Sequence, residues 1–190
     1  MKQLRFLRSA GASLASALVV SGLFGGQSIA EPKASYDPAR IKDFGFGIFC
    51  NRSADYVTKG ENSIDDEVDR FDSAPPLIEQ THVIPAVDGL LFGVQATSKT
   101  SSEIVVTMVA KHPPLGSSGL TRETWESAIV SDRMTMNGYT IGLDQGSPFG
   151  TCTIKAVRKG RSVYEVTFEV VEATNADRRK YKSCKAAQVS

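Results

Sequence analysis

Three cysteines, two histidines and an uneven scatter of carboxylates are the residues of this 190-residue chain whose types could do chemistry. His82 and His112 are too few and too far apart for a zinc signature such as His-Glu-x-x-His, and no Cys-x-x-Cys occurs. Asp65, Asp66, Glu67 and Asp69 are suitable hard ligands, yet they lack the spaced Asp-x-Asp-x-Asp-Gly loop that wraps a calcium ion. Gly116-Ser117-Ser118-Gly119 is not the Gly-x-Ser-x-Gly of a nucleophile elbow. A nucleophilic Cys152 would need exposure and a lowered pKa, and neither histidine can be placed near it. Asn51-Arg52-Ser53 fits the glycosylation acceptor pattern, which is common by chance. No catalytic set, metal or cofactor is therefore expected.

The cysteines are better read as structure. Cys50, Cys152 and Cys184 make an odd number, so one bond leaves one thiol over. Cys50 ends an apolar stretch beside a polar loop, and Cys184 lies in the basic tail Asp177 to Lys185, which otherwise has little to hold it. Cys152 falls inside a strand pattern on its apolar face, where a thiol packs as a small hydrophobe. The expected disulfide is Cys50 with Cys184; Cys50 with Cys152, or no bond, are the alternatives.

An oxidising compartment is implied by the first thirty residues. Lys2, Arg5 and Arg8 precede an apolar run from Leu14 to Phe24, with small residues at Ser28 and Ala30. This is the layout of a secretory signal peptide cleaved between Ala30 and Glu31. The run is shorter than the roughly 20 residues a membrane span requires, so no integral anchor is expected. Three of the 22 Lys and Arg lie in this segment against none of the 21 acids, and the remainder carries two more acids than bases. That near-neutral balance argues against nucleic acid as a partner. The charge is uneven: Glu61 to Asp72 holds six acids and one arginine, while the tail is basic. Both read as solvated loop and tail.

The elements that must position these residues are mostly strands. Residues 31–40 read as a flexible lead. Phe44, Phe46, Ile48 and Cys50 alternate with period two, the mark of a half-buried strand. Residues 51–76 are polar and end in Pro-Pro, and read as a long loop. Ile78, Gln80, His82 and Ile84 share one face of a strand stopped by Pro85. His82 there is expected to be a satisfied structural residue. Leu90 to Ala96 and Ile104 to Ala110 read as a hairpin. His112 to Leu120 reads as a loop on composition, with His112 exposed.

Thr121 to Val130 is the one helical-looking piece, with Trp125, Ala128 and Ile129 at i, i+3 and i+4. Trp125 is expected to close one end of the core. Asn137-Gly138 signals either a hairpin turn or a strand bent at the glycine. Cys152 to Ala156 and Tyr164 to Val170 alternate about Lys159-Gly160 and form the clearest hairpin in the chain.

About seven strands and at most one short helix predict an all-β fold, an immunoglobulin-like antiparallel β-sandwich, over residues 41–173, followed by a basic tail over 174–190. GIFC, IPAVDGLLFGV and PFGTCTIKAVRKGRSVYEVTFEV together resemble a family of small secreted bacterial proteins built on a domain of unknown function, the 3859 type, over roughly Ile41 to Glu172. The last hairpin also resembles the closing strands of many immunoglobulin-like bacterial domains, with Cys152 where an aromatic is usual. The resemblance implies a fold and an export route and brings no catalytic residues. The expected function is that of an exported, non-catalytic binding module, periplasmic or secreted. Its partner is expected to be another envelope component, held through loops or a sheet edge. The alternative is a hydrolase or transferase with a carboxylate site carried on loops.

Overall fold

The alternation from Cys152 to Val170 folds as two antiparallel neighbours, paired from Gly150 opposite Val170 to Arg158 opposite Arg161, in one sheet of a β-sandwich. The computed structural model describes residues 34–184 apart from 51, 61, 65, 116–118, 144–148 and 183. The segment 1–30, expected to be a signal peptide, and the expected Ala30/Glu31 cleavage point lie outside the described residues, as do Asn51, Asp65 and Gly116 to Ser118. Twelve described strands run β1 (Ala34–Tyr36), β2 (Ile41–Phe49), β3 (Tyr56–Lys59), β4 (Glu67–Arg70), β5 (Leu77–Glu79), β6 (Val83–Pro85), β7 (Leu91–Ser98), β8 (Ile104–Leu115), β9 (Leu120–Ile129), β10 (Thr135–Thr140), β11 (Gly150–Arg158) and β12 (Arg161–Val171). One short helix follows, α1 (Asn175–Lys180).

The larger sheet has the order β1-β12-β11-β8-β9, with β6 also paired to β12. The smaller has the order β10-β7-β2-β5, and β3 and β4 form a separate two-stranded ribbon. The class is the expected antiparallel sandwich, with more strands than seven. Inward residues such as Val94, Met108, Ile154, Val166 and Phe168 are almost wholly buried between the sheets. Burial of this apolar area is what favours the packed state. Lys159 and Gly160 both take positive φ, 49° and 74°, in the β11–β12 turn. Two left-handed residues match the twist of a tight hairpin.

Several sequence expectations are corrected. The segments around β7 and β8 are not a hairpin, because β7 belongs to the smaller sheet and β8 to the larger, so the Lys99–Ser102 turn carries the chain across the sandwich. Alternation alone does not say which sheet a strand joins. The stretch read as one strand from Ile78 to Ile84 divides, β5 pairing with β2 and β6 running parallel to β12. The loop expected over 51–76 holds the β3–β4 ribbon, whose polar outer face disguised it. The lead contains β1, registered on Tyr164 to Val166. Its three residues are exposed and hydrogen-bonded by backbone, which leaves no side-chain pattern to read.

Thr121 to Ile129 is strand β9, not a helix. Trp125 and Ile129 are both inward at a spacing of four, which suits either period, and the residue that would have marked the strand face is the buried acid Glu123. Asn137-Gly138 lies inside β10, opposite Val94 and Gly93, and makes no turn. A Cβ on Gly138 would sit 2.1 Å from the Phe92 carbonyl oxygen, and one on Gly93 would sit 2.4 Å from that of Asn137. The glycine pair thus permits close approach of two backbones.

The tail is tied down. Cys50 and Cys184 form a disulfide with their Cα atoms 4.7 Å apart, the pairing expected from the strand faces. Thr174 and Asp177 cap α1 reciprocally, each side chain accepting from the other's backbone N–H. Tyr181, 4% exposed, donates to Glu79 Oε2 at 2.6 Å, and Lys180 pairs with the same oxygen.

Candidate functional site

The sandwich is open along one side. There β9, the edge of the larger sheet, faces β10, the edge of the smaller, and the β3–β4 ribbon lies across the gap as a roof. Two contacts fasten the roof to the free edge of β9: the Thr124 N–H donates to the Asn62 carbonyl at 3.3 Å, and Arg70 Nη2 donates to the Glu126 carbonyl at 2.6 Å. Arg70 is itself held by Thr58 Oγ1 at 2.9 Å. A bare strand edge is a template for mispairing, so the ribbon also blunts it.

Beneath the roof is a cavity of about 400 Å³. Its walls are chiefly aromatic and aliphatic, with Phe92 and Trp125 on the two sheets and Val68 and Phe71 on the ribbon. Among its polar lining residues, four are tied to one another or to the core by hydrogen bonds or a charge contact. His112 comes from β8, Glu123 from β9, and Asn137 and Tyr139 from β10. Sequence reasoning missed all four as a group. His112 was expected in an exposed loop, yet β8 continues through it, and Ile104, Val106, Met108, Ala110 and His112 are all buried on the inward face. Extending the period by one more step would have found it.

The four are wired together. Glu123 Oε1 accepts the Tyr139 hydroxyl at 2.6 Å and lies 3.0 Å from His112 Nε2, while Oε2 accepts the Ile64 backbone N–H from the ribbon tip at 2.8 Å. The His112 and Glu123 side chains are 2% and 4% exposed. His112 Nδ1 donates to the Pro113 carbonyl at 2.7 Å, which leaves Nε2 to face the carboxylate. That approach is short but off the N–H line, so the contact is a charge pair when His112 is protonated rather than an aligned hydrogen bond. Burial presses the imidazole toward neutrality, but Glu123 and the Pro113 carbonyl outweigh it and raise its pKa. Burial likewise works against the Glu123 charge, and His112, Tyr139 and the Ile64 N–H together hold its pKa below the ordinary range.

A second chain of bonds crosses the core: Trp125 Nε1–H donates to Asn137 Oδ1 at 3.4 Å, and Asn137 Nδ2 donates to the Tyr164 hydroxyl at 3.2 Å. Burial and then the Glu123 charge push the Tyr139 phenol up. Burial, with Glu169 adding to it, pushes the Cys152 thiol to about 12. A thiol so raised is a poor nucleophile at neutral pH. A carboxylate that already accepts from Tyr139 and Ile64 and lies against His112 is a weak base. The arrangement is suited to holding a molecule in a fixed orientation.

The other sequence candidates lie elsewhere. His82 precedes β6, with Nδ1 donating to the Thr167 carbonyl at 2.8 Å and its ring 4.5 Å from that of Phe46, as a structural histidine should. Asp66, Glu67 and Asp69 sit on the ribbon. Among the described residues, no group of three or more His, Cys, Asp or Glu is placed to hold a metal ion. No helix among them is long and apolar enough to cross a membrane.

Comparison with solved structures finds an immunoglobulin-like protein from Pseudomonas aeruginosa at 16% identity and a TM-score of 0.47, covering 75% of this chain and 99% of the other. No curated protein matches. Residues 38–170, from the turn after β1 almost to the end of β12, match the family described as a domain of unknown function, DUF3859, and the chain belongs to that family.

Proposed function

We propose that this chain is an exported, non-catalytic binding module of the cell envelope, and that it seats a small component of that compartment in the cavity between β9 and β10. The observation that carries the reading is the cavity itself. Its volume of about 400 Å³ falls in the range of small-molecule sites, which are largely apolar with a few fixed polar groups. Here the polar groups are Glu123, His112, Asn137 and Tyr139, each held by a neighbour. A hydrolase or transferase would need a group poised to attack or take up a proton. The raised Cys152 and Tyr139 and the saturated Glu123 favour binding over turnover. The Cys50–Cys184 bond supports an oxidising compartment.

The test uses Trp125, the one tryptophan of the chain, as a reporter in the cavity wall. Titration with N-phenyl-1-naphthylamine, a neutral apolar fluorophore, should give saturable one-to-one binding with energy transfer from Trp125. Val68→Phe, which fills the chamber from the roof, should abolish it. Absence of saturable binding by the native protein would sink the reading.

A further inference from the structure

We infer that the ligand of this cavity is a small organic cation, a protonated amine on an aromatic body, and that its ammonium takes the place of the Ile64 N–H on Glu123. The inference rests on the cavity being a ligand seat and adds the chemical class of the ligand.

Three features select a cation. The first is the division of labour at Glu123. Tyr139 and His112 engage Oε1 from the sheets, whereas Oε2 is engaged by a backbone N–H of the ribbon tip. The sheet contacts come from β8 and β10, strands of the two sheets, but the ribbon is a two-stranded hairpin outside both sheets, fastened to β9 by Asn62, Arg70 and Ile64. Such isolated ribbons are the marginal elements of a fold. When the ribbon lifts, the contact that breaks is the one at Oε2, and a buried carboxylate oxygen stripped of its donor needs another. An incoming ammonium supplies that donor together with the opposite charge.

The second feature is the walls. Phe71, Phe92, Trp125 and Tyr139 line the chamber. Aromatic faces attract a cation and an aromatic body alike.

The third is the mouth. Glu67 and Asp69 line it from the ribbon, whose segment Glu61 to Asp72 carries six acids against one arginine. That arginine, Arg70, also lines the cavity, its guanidinium held by Thr58 and the Glu126 carbonyl, and the segment stays acidic on balance. An acidic rim over a low-dielectric chamber draws cations in and repels anions. The acidic run, which otherwise reads as a solvated loop, thereby acquires a role in selection.

The test compares three probes of nearly one shape on the full mature chain, read by Trp125 fluorescence and calorimetry: 2-phenylethylamine in its protonated form, 2-phenylethanol, and 3-phenylpropionate. The amine should bind at least tenfold more tightly than the alcohol, and the acid more weakly than either. Glu123→Gln should bring the amine to the level of the alcohol. Because that variant alters a buried group and can fail to fold, Glu67→Gln with Asp69→Asn at the exposed mouth is the second arm. It should slow association of the amine severalfold and flatten its salt dependence while leaving the alcohol unchanged. Equal binding of amine and alcohol overturns the cation and leaves the cavity reading standing. Tighter binding of the acid overturns it in favour of an anion. Failure of all three probes, with N-phenyl-1-naphthylamine also excluded, overturns both.

Discussion

The hydroxyl of Tyr139 on β10 donates to Oε1 of Glu123 on β9 across 2.6 Å, joining the free edges of the two sheets where the sandwich is open. The bond keeps a carboxylate charged inside an apolar chamber and sets the spacing of the chamber walls. Tyr139→Phe removes only the oxygen. A buried acceptor then loses a partner, at a cost of about 1–3 kcal/mol. The urea midpoint should fall with the slope unchanged. An unchanged midpoint would mean that His112 and Ile64 alone satisfy Glu123.

The pair His112 and Glu123 predicts a stability maximum in mildly acidic solution. The Glu123 pKa is lowered in the fold, so its contribution is present above its ordinary value of about 4.3 and fades as pH falls through the folded value. The His112 pKa is raised, so its contribution is present below its ordinary value of about 6.5 and fades as pH rises through the folded value. The two overlap between about pH 4.3 and 6.5. Thermal melts of native protein and of His112→Gln across pH 4–9 should converge as the pH rises. A difference that stays constant from pH 6 to 9 would remove His112 from the ion pair.

What the sequence concealed follows from the same residues. Alternation was legible wherever inward positions were apolar, as from Cys152 to Val170, and so was the inward face of Cys152. It failed where the inward residue is the polar group that makes the cavity. Glu123 broke the period of β9 and left Trp125, Ala128 and Ile129 to mimic a helix, and His112 seemed to end β8 because prolines follow it. A residue that contradicts its local pattern is expected at a site that gives up stability for function. Sheet membership was hidden for another reason. The β7 and β8 segments carry identical signals, and only tertiary packing assigns them to opposite layers.

Cys152 should be chemically silent in the folded state. It is 4% exposed, opposite Phe168, and burial holds its thiol at about 12. With Cys50 and Cys184 joined, Cys152 is the third cysteine, and alkylation reports its exposure. Iodoacetamide at pH 8 should leave the native protein unmodified for hours and add one group in guanidinium. Rapid labelling without denaturant would show that the cavity floor opens to solvent.

Gly138→Ala probes the backbone contact between β7 and β10. The added Cβ would meet the Phe92 carbonyl oxygen at 2.1 Å, so the strands must part or the pairing must slip. The expected cost is about 1–3 kcal/mol, typical of overpacking. Faster amide exchange in Thr135–Thr140 should accompany it, because β10 is an edge strand with β7 as its partner. A variant as stable as the native chain would show that the edge repacks without loss.

The tail offers a separable test of the disulfide. The bond closes a separation of 134 residues, for which the chain-entropy description gives about 5 kcal/mol as an upper figure. Much of what it holds is local. The helix α1 has six residues, too few to persist alone, and its anchors are Tyr181 and Lys180 on Glu79. In Cys50→Ser with Cys184→Ser the helix should fray before the sandwich opens. Brief trypsin treatment should then cut at Arg178, Arg179 or Lys180 and release the tail, leaving a folded body up to Ala173. The native protein should resist cleavage there. Equal resistance in the double variant would mean that the Glu79 contacts hold the tail without the covalent bond.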